Sequence, residues 1–249
     1  VEDVVIVVAG HDKYSAAWPA MMHGIEKYLS LAWPIYWMTN HLDAPKECIT
    51  VKMGGDFNPK RWSNRVKGGL KQIPAKTILW MLDDHWITQT PDSAALIDFA
   101  LYIKRGLAHR IRLYPGWDHD RSSGAFEYDK RLLIMGKKSP YRTSCKPSFW
   151  NRGVFLSLLK ANESPWDFEQ YGRKRSGQYT FMAVKDWGHF PFVTKGDPTG
   201  PWAKSPLVKG KWTMAAAEYC KREGLKIDLR NHPMKGNPFG KEKPKYILP

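Results

Sequence analysis

Two carboxylates side by side at the end of an apolar run are the first residues of this sequence equipped for chemistry. Asp83 and Asp84 follow TILWML within residues 77–88, TILWMLDDHWIT. A run so rich in Ile, Leu, Trp and Met, cut off by charge, predicts a buried strand of a parallel sheet. Ligands of open α/β sheets bind beyond the carboxyl ends of the strands, where two acids could share a divalent cation that holds phosphate oxygens. A structural use competes with this: Asp83 ends the strand and Asp84 caps or turns the loop.

Residues 163–176, ESPWDFEQYGRKRS, form the second such stretch. Ser164 as N-cap, Pro165 at the first helical position and Asp167 at the third make a capping pattern, which gives Asp167 a structural job. Glu169 has no such job. Beside Trp166 and Phe168 its pKa could be adjusted by apolar neighbours, and it could act as a general base. Residues 206–212, PLVKGKW, place a Gly turn between Lys209 and Lys211, able to wrap a phosphate with backbone N–H groups and ammonium charge.

The elements that must position these residues alternate. VVIVVA at Val4–Ala9 predicts a central strand, the turn Gly10, His11, Asp12, Lys13 follows, and a helix is expected over 15–29. No G-x-G-x-x-G is present, so a dinucleotide fingerprint is absent. Strands are expected at Ile35–Thr39 and 48–53. Trp62, Val66, Leu70 and Ile73 mark one face of an amphipathic helix over 58–73, with Asp56, Arg61 and Arg65 at or near its start. A helix from Pro91 to Leu107, a strand at 110–114, a strand at 143–150 and a short helix at 154–159 come next. Residues 117–138 break the pattern and predict a long excursion, with only 132–135 strand-like. Residues 185–200 read as loop with at most one short strand, and a helix over 213–224 is closed by Gly224. The Pro-rich basic tail from Lys226 is expected to run extended. The expected domain therefore covers 1–225, with the tail at 226–249.

The chain has 249 residues, enough for one large α/β domain or two small ones. Cys48, Cys145 and Cys220 are odd in number and far apart, so neither a disulfide framework nor a zinc site is indicated, and a reducing compartment fits. No apolar stretch is long enough for a membrane span, and VEDVVIVVAG lacks the basic flank and cleavage site of a signal peptide; a cytoplasmic protein is expected. The charge is unusual: 39 Lys plus Arg against 24 Asp plus Glu give +15. Such an excess favours a polyanionic partner. Between Lys104 and Arg152 twelve Lys or Arg stand against four acids, with Trp117, Phe126, Tyr128 and Tyr141 interleaved. Basic residues mixed with aromatics suit a nucleic-acid surface, and equally a solvated face with a few packed rings.

Together these stretches resemble a family of bacterial and phage glycosyltransferase-like proteins of the GT-A fold. In that family a strand ending LLLDDYF precedes a strand ending in Trp, a short helix, and a segment like ESPWEFE-x-x-G-x-x-R-S. The matching pieces are Leu82, Asp83, Asp84, His85 and Trp86; Phe149, Trp150, Asn151 and Arg152; and residues 163–169 and 172–176. Lys209, Gly210, Lys211 and Trp212 are similar to a GKW element there. The resemblance implies an α/β fold, a GT-A-like single domain with a mixed, mostly parallel central sheet flanked by helices. It implies an enzyme using a nucleotide-sugar donor, foremost a UDP-sugar, with a divalent cation, Mn2+ or Mg2+, bridging the diphosphate. Asp84 then holds the metal, Asp83 contacts ribose or metal, and His189 or His232 could add a ligand. Ala9, Gly10, His11 and Asp12 would lie against the nucleoside, with Arg65, Lys209 and Lys211 as further donor contacts. Glu169, matched by the family's WEFE, becomes the base of an inverting displacement, with Asp167 as a second catalytic candidate. His85 departs from the family's aromatic, and the basic excursion is not a family hallmark.

Those departures bear on the acceptor. A +15 chain suggests hydroxymethylated bases in phage DNA, bound through Trp117, Arg121, Trp166, Arg173, Lys174 and Arg175 and reached by flipping the base out. A surface glycan or lipid-linked sugar is the alternative acceptor. A non-catalytic DNA-binding domain is the alternative of another class. A nucleotidyltransferase would need a Gly-rich, Arg-bearing loop after the first strand, and GHDKYS is poor in both.

Overall fold

Six β-branched or small apolar residues in a row, buried on both faces, make β1 (Val4–Ala9) the middle of a sheet. The computed structural model describes residues 3–55, 58–115, 124–186, 206–208, 210–228 and 246–247. Trp117, Arg121, His189, Lys209 and His232, named above, lie outside them, as does Asp56. β1 pairs in parallel with β2 (Ile35–Thr39) and with β4 (Thr77–Leu82), and β3 (Ile49–Lys52) adds to β2. Beyond β4 come β8 (Ser148–Asn151), β5 (Arg110–Arg112), β9 (Phe181–Val184), β7 (Leu132–Ile134) and β6 (Phe126–Glu127). The order of this nine-stranded sheet is β3-β2-β1-β4-β8-β5-β9-β7-β6. Its pairings leave β7 and β8 opposed to the other strands, so the sheet is mixed and mostly parallel, as the sequence leads one to expect.

Among the described residues the chain divides into two compact units. The first comprises Val1–Asp12, Leu31–Leu82 and Pro91–Phe190 and contains the large sheet. Its core sets Val5, Val7, Ile78 and Trp80 of the sheet against Val66 and Leu70 of α2 (Trp62–Gln72), and Phe155 and Phe168 of α4 (Arg152–Leu158) and α5 (Pro165–Arg175). α3 (Ser93–Lys104) starts at Asp92, whose side chain accepts from Ala95 N. The second unit comprises Lys13–Ser30, Asp83–Thr90 and Pro191–Pro249. It holds α1 (Trp18–Tyr28), α6 (Met214–Glu223) and two small pairings, β10 (Leu207–Val208) with β11 (Lys211–Trp212) and β12 (Ile227–Asp228) with β13 (Tyr246–Ile247).

Several expectations need correction. The helix expected from residue 15 opens as a 3-10 turn, Asp12–Ala17, because Pro19 favours the first turn of α1 and not a helix interior. Residues 143–147 are not strand; Arg110 donates to the carbonyls of Arg142 and Ser144 there, which takes them out of the ladder. Part of the excursion, 126–134, is an edge hairpin of the sheet. The tail does not only run extended: residues 227–228 and 246–247 pair.

Candidate functional site

In the first unit the register puts the ends of β1, β2 and β4 together: Ala9 faces Met38 on one side and Leu82 on the other. Because β8 runs the opposite way, its first residue, Ser148, lies beside Trp80 of β4 and Arg112 of β5. The loop 143–147 therefore comes over the same carboxyl edge at which β4 ends, where open α/β sheets take ligands. Glu169 of α5 is fastened to this loop. Its Oε1 accepts from Cys145 N at 2.6 Å, and Thr143 Oγ1 donates to the Phe168 carbonyl at 2.8 Å. Gly172 permits the approach, since a Cβ there would stand 2.5 Å from Thr143 Oγ1. Burial pushes the Glu169 carboxyl up, against the opposing pull of the Cys145 amide, Lys146 and Arg110. A carboxylate raised in this way suits a general base.

Asp167, three residues into the same helix, is otherwise employed. Its Oδ2 accepts from Ser164 N at 2.9 Å and from Ser164 Oγ at 2.7 Å, closing a capping box, and these bonds hold its carboxyl low. Arg175 forms a two-pronged pair with Glu163, 2.8 and 2.7 Å, and is taken up in joining α5 to the preceding loop instead of an acceptor. Arg173 donates to the Lys138 carbonyl at 3.2 Å. Trp166 (62% exposed) and Lys174 do face solvent. Half-exposed Tyr141 and Tyr171 and exposed Lys137 and Lys138 share this part of the first unit. Part of the basic stretch from 104 to 152 is interior, however. Arg110, Arg112 and Arg142 are buried, with guanidiniums on backbone carbonyls, and two of them lie over the Trp150 and Phe181 rings.

Asp12 is also occupied. Its carboxylate accepts from the backbone N–H groups of Asn40, His41 and Leu42 at 2.9, 2.7 and 3.0 Å. Burial pushes this carboxyl up, and the three amides with nearby His11 outweigh that and hold it low. Asp12 thus shapes the turns after β1 and β2. Gly10 N donates to the Met38 carbonyl, Asn40 bonds Gly54, and Arg65 lies over Gly55 while donating to the Asn58 carbonyl.

The second unit contains the aspartate pair. Asp83, 6% exposed, accepts from Trp18 Nε1 at 3.0 Å through Oδ2. The Asp84 side chain is a quarter exposed, with buried His85 Nε2 3.9 Å from its Oδ1. Burial and the charges of Asp83 and Asp84 push the Tyr14 phenol up, so it stays protonated near them. α1 lies along this segment, because a Cβ on Gly24 would come within 2.8 Å of the Ile87 carbonyl. α6 lies against it too: Trp86 meets Trp212 and Tyr219, and Arg222 donates to the Thr88 carbonyl. The two helices are joined by Glu223, buried at the end of α6, which receives His23, Lys27 and Tyr28 of α1 at 3.0, 2.7 and 2.7 Å. Lys211 is exposed on β11, after Gly210 in a left-handed turn.

No group of three His, Cys, Asp or Glu suited to a metal occurs among the described residues. Two adjacent carboxylates nevertheless fit a hard cation that arrives with phosphates, since Mg2+ and Mn2+ sites of that kind use one or two carboxylates and take the remaining oxygens from the nucleotide. Trp18, Tyr14, Lys146 and Glu223 escape sequence reading because each acts through a partner 23 or more residues away. The 3.6-residue pattern of α1 is the one signal that could place Trp18 on its buried face.

No family model and no curated protein matches the chain. Among solved structures it is similar to S. aureus TarS 1-349, with a TM-score of 0.51, 10% identity, and coverage of 76% of this chain and 59% of that one. The same TarS piece in complex with UDP-GlcNAc gives a TM-score of 0.48, 11% identity, and coverage of 88% and 64%. A cytidylyltransferase from Leptospira borgpetersenii gives 0.47, 10% identity, and coverage of 75% and 77%. The first likeness shows a shared GT-A-like α/β fold; at such identity it says nothing of the motifs. The chain spans about three fifths of the length of that TarS structure. Among the described residues no helix is long and apolar enough to cross a membrane.

Proposed function

We propose that this chain is a metal-dependent glycosyltransferase that moves a sugar from a nucleotide-sugar, foremost a UDP-sugar, to a hydroxyl acceptor. One observation carries the reading: the loop that holds Glu169 lies over the carboxyl edge where β4 ends, and Asp83 and Asp84 are the next residues of the chain. A divalent cation, Mn2+ or Mg2+, on Asp84 and Asp83 would draw off charge as the diphosphate departs. Ala9, Gly10 and His11 would contact the nucleoside, on a turn shaped by Asp12, with Arg65 as a further donor contact. Lys209 and Lys211 would offset charge on the leaving group. Glu169 takes the acceptor hydroxyl's proton as its oxygen attacks the anomeric carbon. The sugar–phosphate bond breaks on the far side, and the configuration inverts.

The proposed acceptor is a hydroxymethylated base in DNA, supported by the net charge of +15 and by exposed Trp166 and Lys174. A surface glycan or lipid-linked sugar is the second reading. It is favoured by the burial of Arg110, Arg112 and Arg142, which removes charge from the surface while leaving exposed rings for a sugar face. The test is incubation with nucleotide sugars, Mn2+, and either hydroxymethylated DNA, unmodified DNA or oligosaccharides, read by product mass. A hexose added to hydroxymethylated nucleosides alone supports the first acceptor, and hexose on oligosaccharide alone replaces it with the second. Intact donor with every acceptor contradicts the enzyme.

A further inference from the structure

We propose that Trp18 is a positioning residue for the cation site, acting through Asp83; this rests on the metal-dependent reading above. The indole Nε1–H of Trp18 donates to Asp83 Oδ2 at 3.0 Å, both residues being 6% exposed. A carboxylate on a loop can turn about its last torsion and swap its oxygens. One held by a buried donor keeps its plane and removes Oδ2 from symmetric, two-oxygen coordination. Outer partners of this sort orient ligating groups and set metal affinity.

Packing alone does not require the bond. Trp80, Trp86 and Trp150 are also buried, and their indole N–H groups have no hydrogen-bond partner among the described residues. Tryptophan in this protein is therefore tolerated without a mate for its nitrogen, and at Trp18 the nitrogen is spent on a carboxylate. The residue also sits where it can hold firm. It opens α1 just before Pro19, and α1 is fixed against the same segment at Gly24 and to α6 through Glu223. Asp83 is thereby referred to a helix and not to its own loop. Asp84, a quarter exposed, remains the residue that meets the ion directly.

The experiment is a Mn2+ titration in the presence of UDP, followed by the electron paramagnetic resonance of unbound Mn2+. It compares the full chain with Trp18→Phe, with Asp84→Ala, and with Trp18 replaced by benzothienylalanine, which keeps the ring and exchanges N–H for sulfur. Both Trp18 variants are expected to bind Mn2+ some 10- to 100-fold more weakly, in addition to the lower thermal midpoint that loss of a donor to a buried carboxylate brings. Should either folded Trp18 variant bind Mn2+ like the parent while Asp84→Ala does not, the positioning role is overturned and the cation reading stands. Should the parent itself bind no Mn2+ with UDP, both fall. A bond of merely structural value would lower the midpoint and leave the affinity alone.

Discussion

Glu169 and Asp167 share a helix and a chemistry, and their surroundings separate them. Glu169 is held by one backbone amide in a buried place that raises its carboxyl, whereas Asp167 is spent on the cap and held low. Glu169→Gln should reduce transfer by about 10²- to 10⁴-fold while leaving UDP binding intact. Because the folded carboxyl is raised, ionising it opposes folding at neutral pH, so the same variant should show an equal or higher thermal midpoint. The rate of the parent should rise with pH through a value above an ordinary glutamate's 4.5, and this acid limb should vanish in Glu169→Gln. Asp167→Ala should lower the midpoint modestly and keep most activity. Loss of transfer in Asp167→Ala comparable to that in Glu169→Gln would contradict this division. Gly172→Ala tests the same place from the backbone side: a Cβ 2.5 Å from Thr143 Oγ1 should cost roughly 1–3 kcal/mol by overpacking, seen in chemical denaturation.

At the scale of elements, α5 owes its start to a reciprocal cap, and Ser164→Ala should cost about 1 kcal/mol in the same measurement. α1 and α6 depend on Glu223. Burial pushes its carboxyl up, but Lys27, Arg222, Tyr28 and His23 hold it well below the usual range. A carboxyl lowered on folding contributes stability in full above its unfolded value near 4.5, and that contribution fades as pH falls through the folded value. Glu223→Gln should cost about 2 kcal/mol at neutral pH and flatten this acid dependence, because Lys27 and Arg222 are half exposed and already screened. These elements were unequally legible. Strands β1, β2 and β4 and the cap at Ser164 follow from local pattern alone. A strand expected at 143–150 covers most of β8, but its antiparallel direction, which brings Glu169's loop to the carboxyl edge of β4, is set by pairing across some seventy residues and leaves no local trace. Arg110 and Arg142 show the same limit: local composition reads them as surface charge, and only the tertiary fold supplies the carbonyls and rings that let them be buried.

For the molecule as a whole the decisive quantity is how much of the +15 charge stays in solvent. If DNA is the acceptor, its binding should weaken at least about tenfold between about 50 and 200 mM salt. Lys137→Ala, Lys138→Ala and Lys174→Ala should each lower affinity evenly across sequences and reduce the salt slope by about 1. Salt-insensitive binding, or none, would turn the account toward a glycan. The claim beneath both acceptors is a cation on Asp84 that holds the donor diphosphate. It is tested most directly by the thermal shift that UDP produces with and without Mn2+ in the parent and in Asp84→Ala. The expected result is a shift in the parent that needs both ligands, equivalent to about 2.7 kcal/mol at a hundredfold excess over Kd, and that is lost in Asp84→Ala. A shift that persists in Asp84→Ala, or that ignores Mn2+ in the parent, would contradict the account.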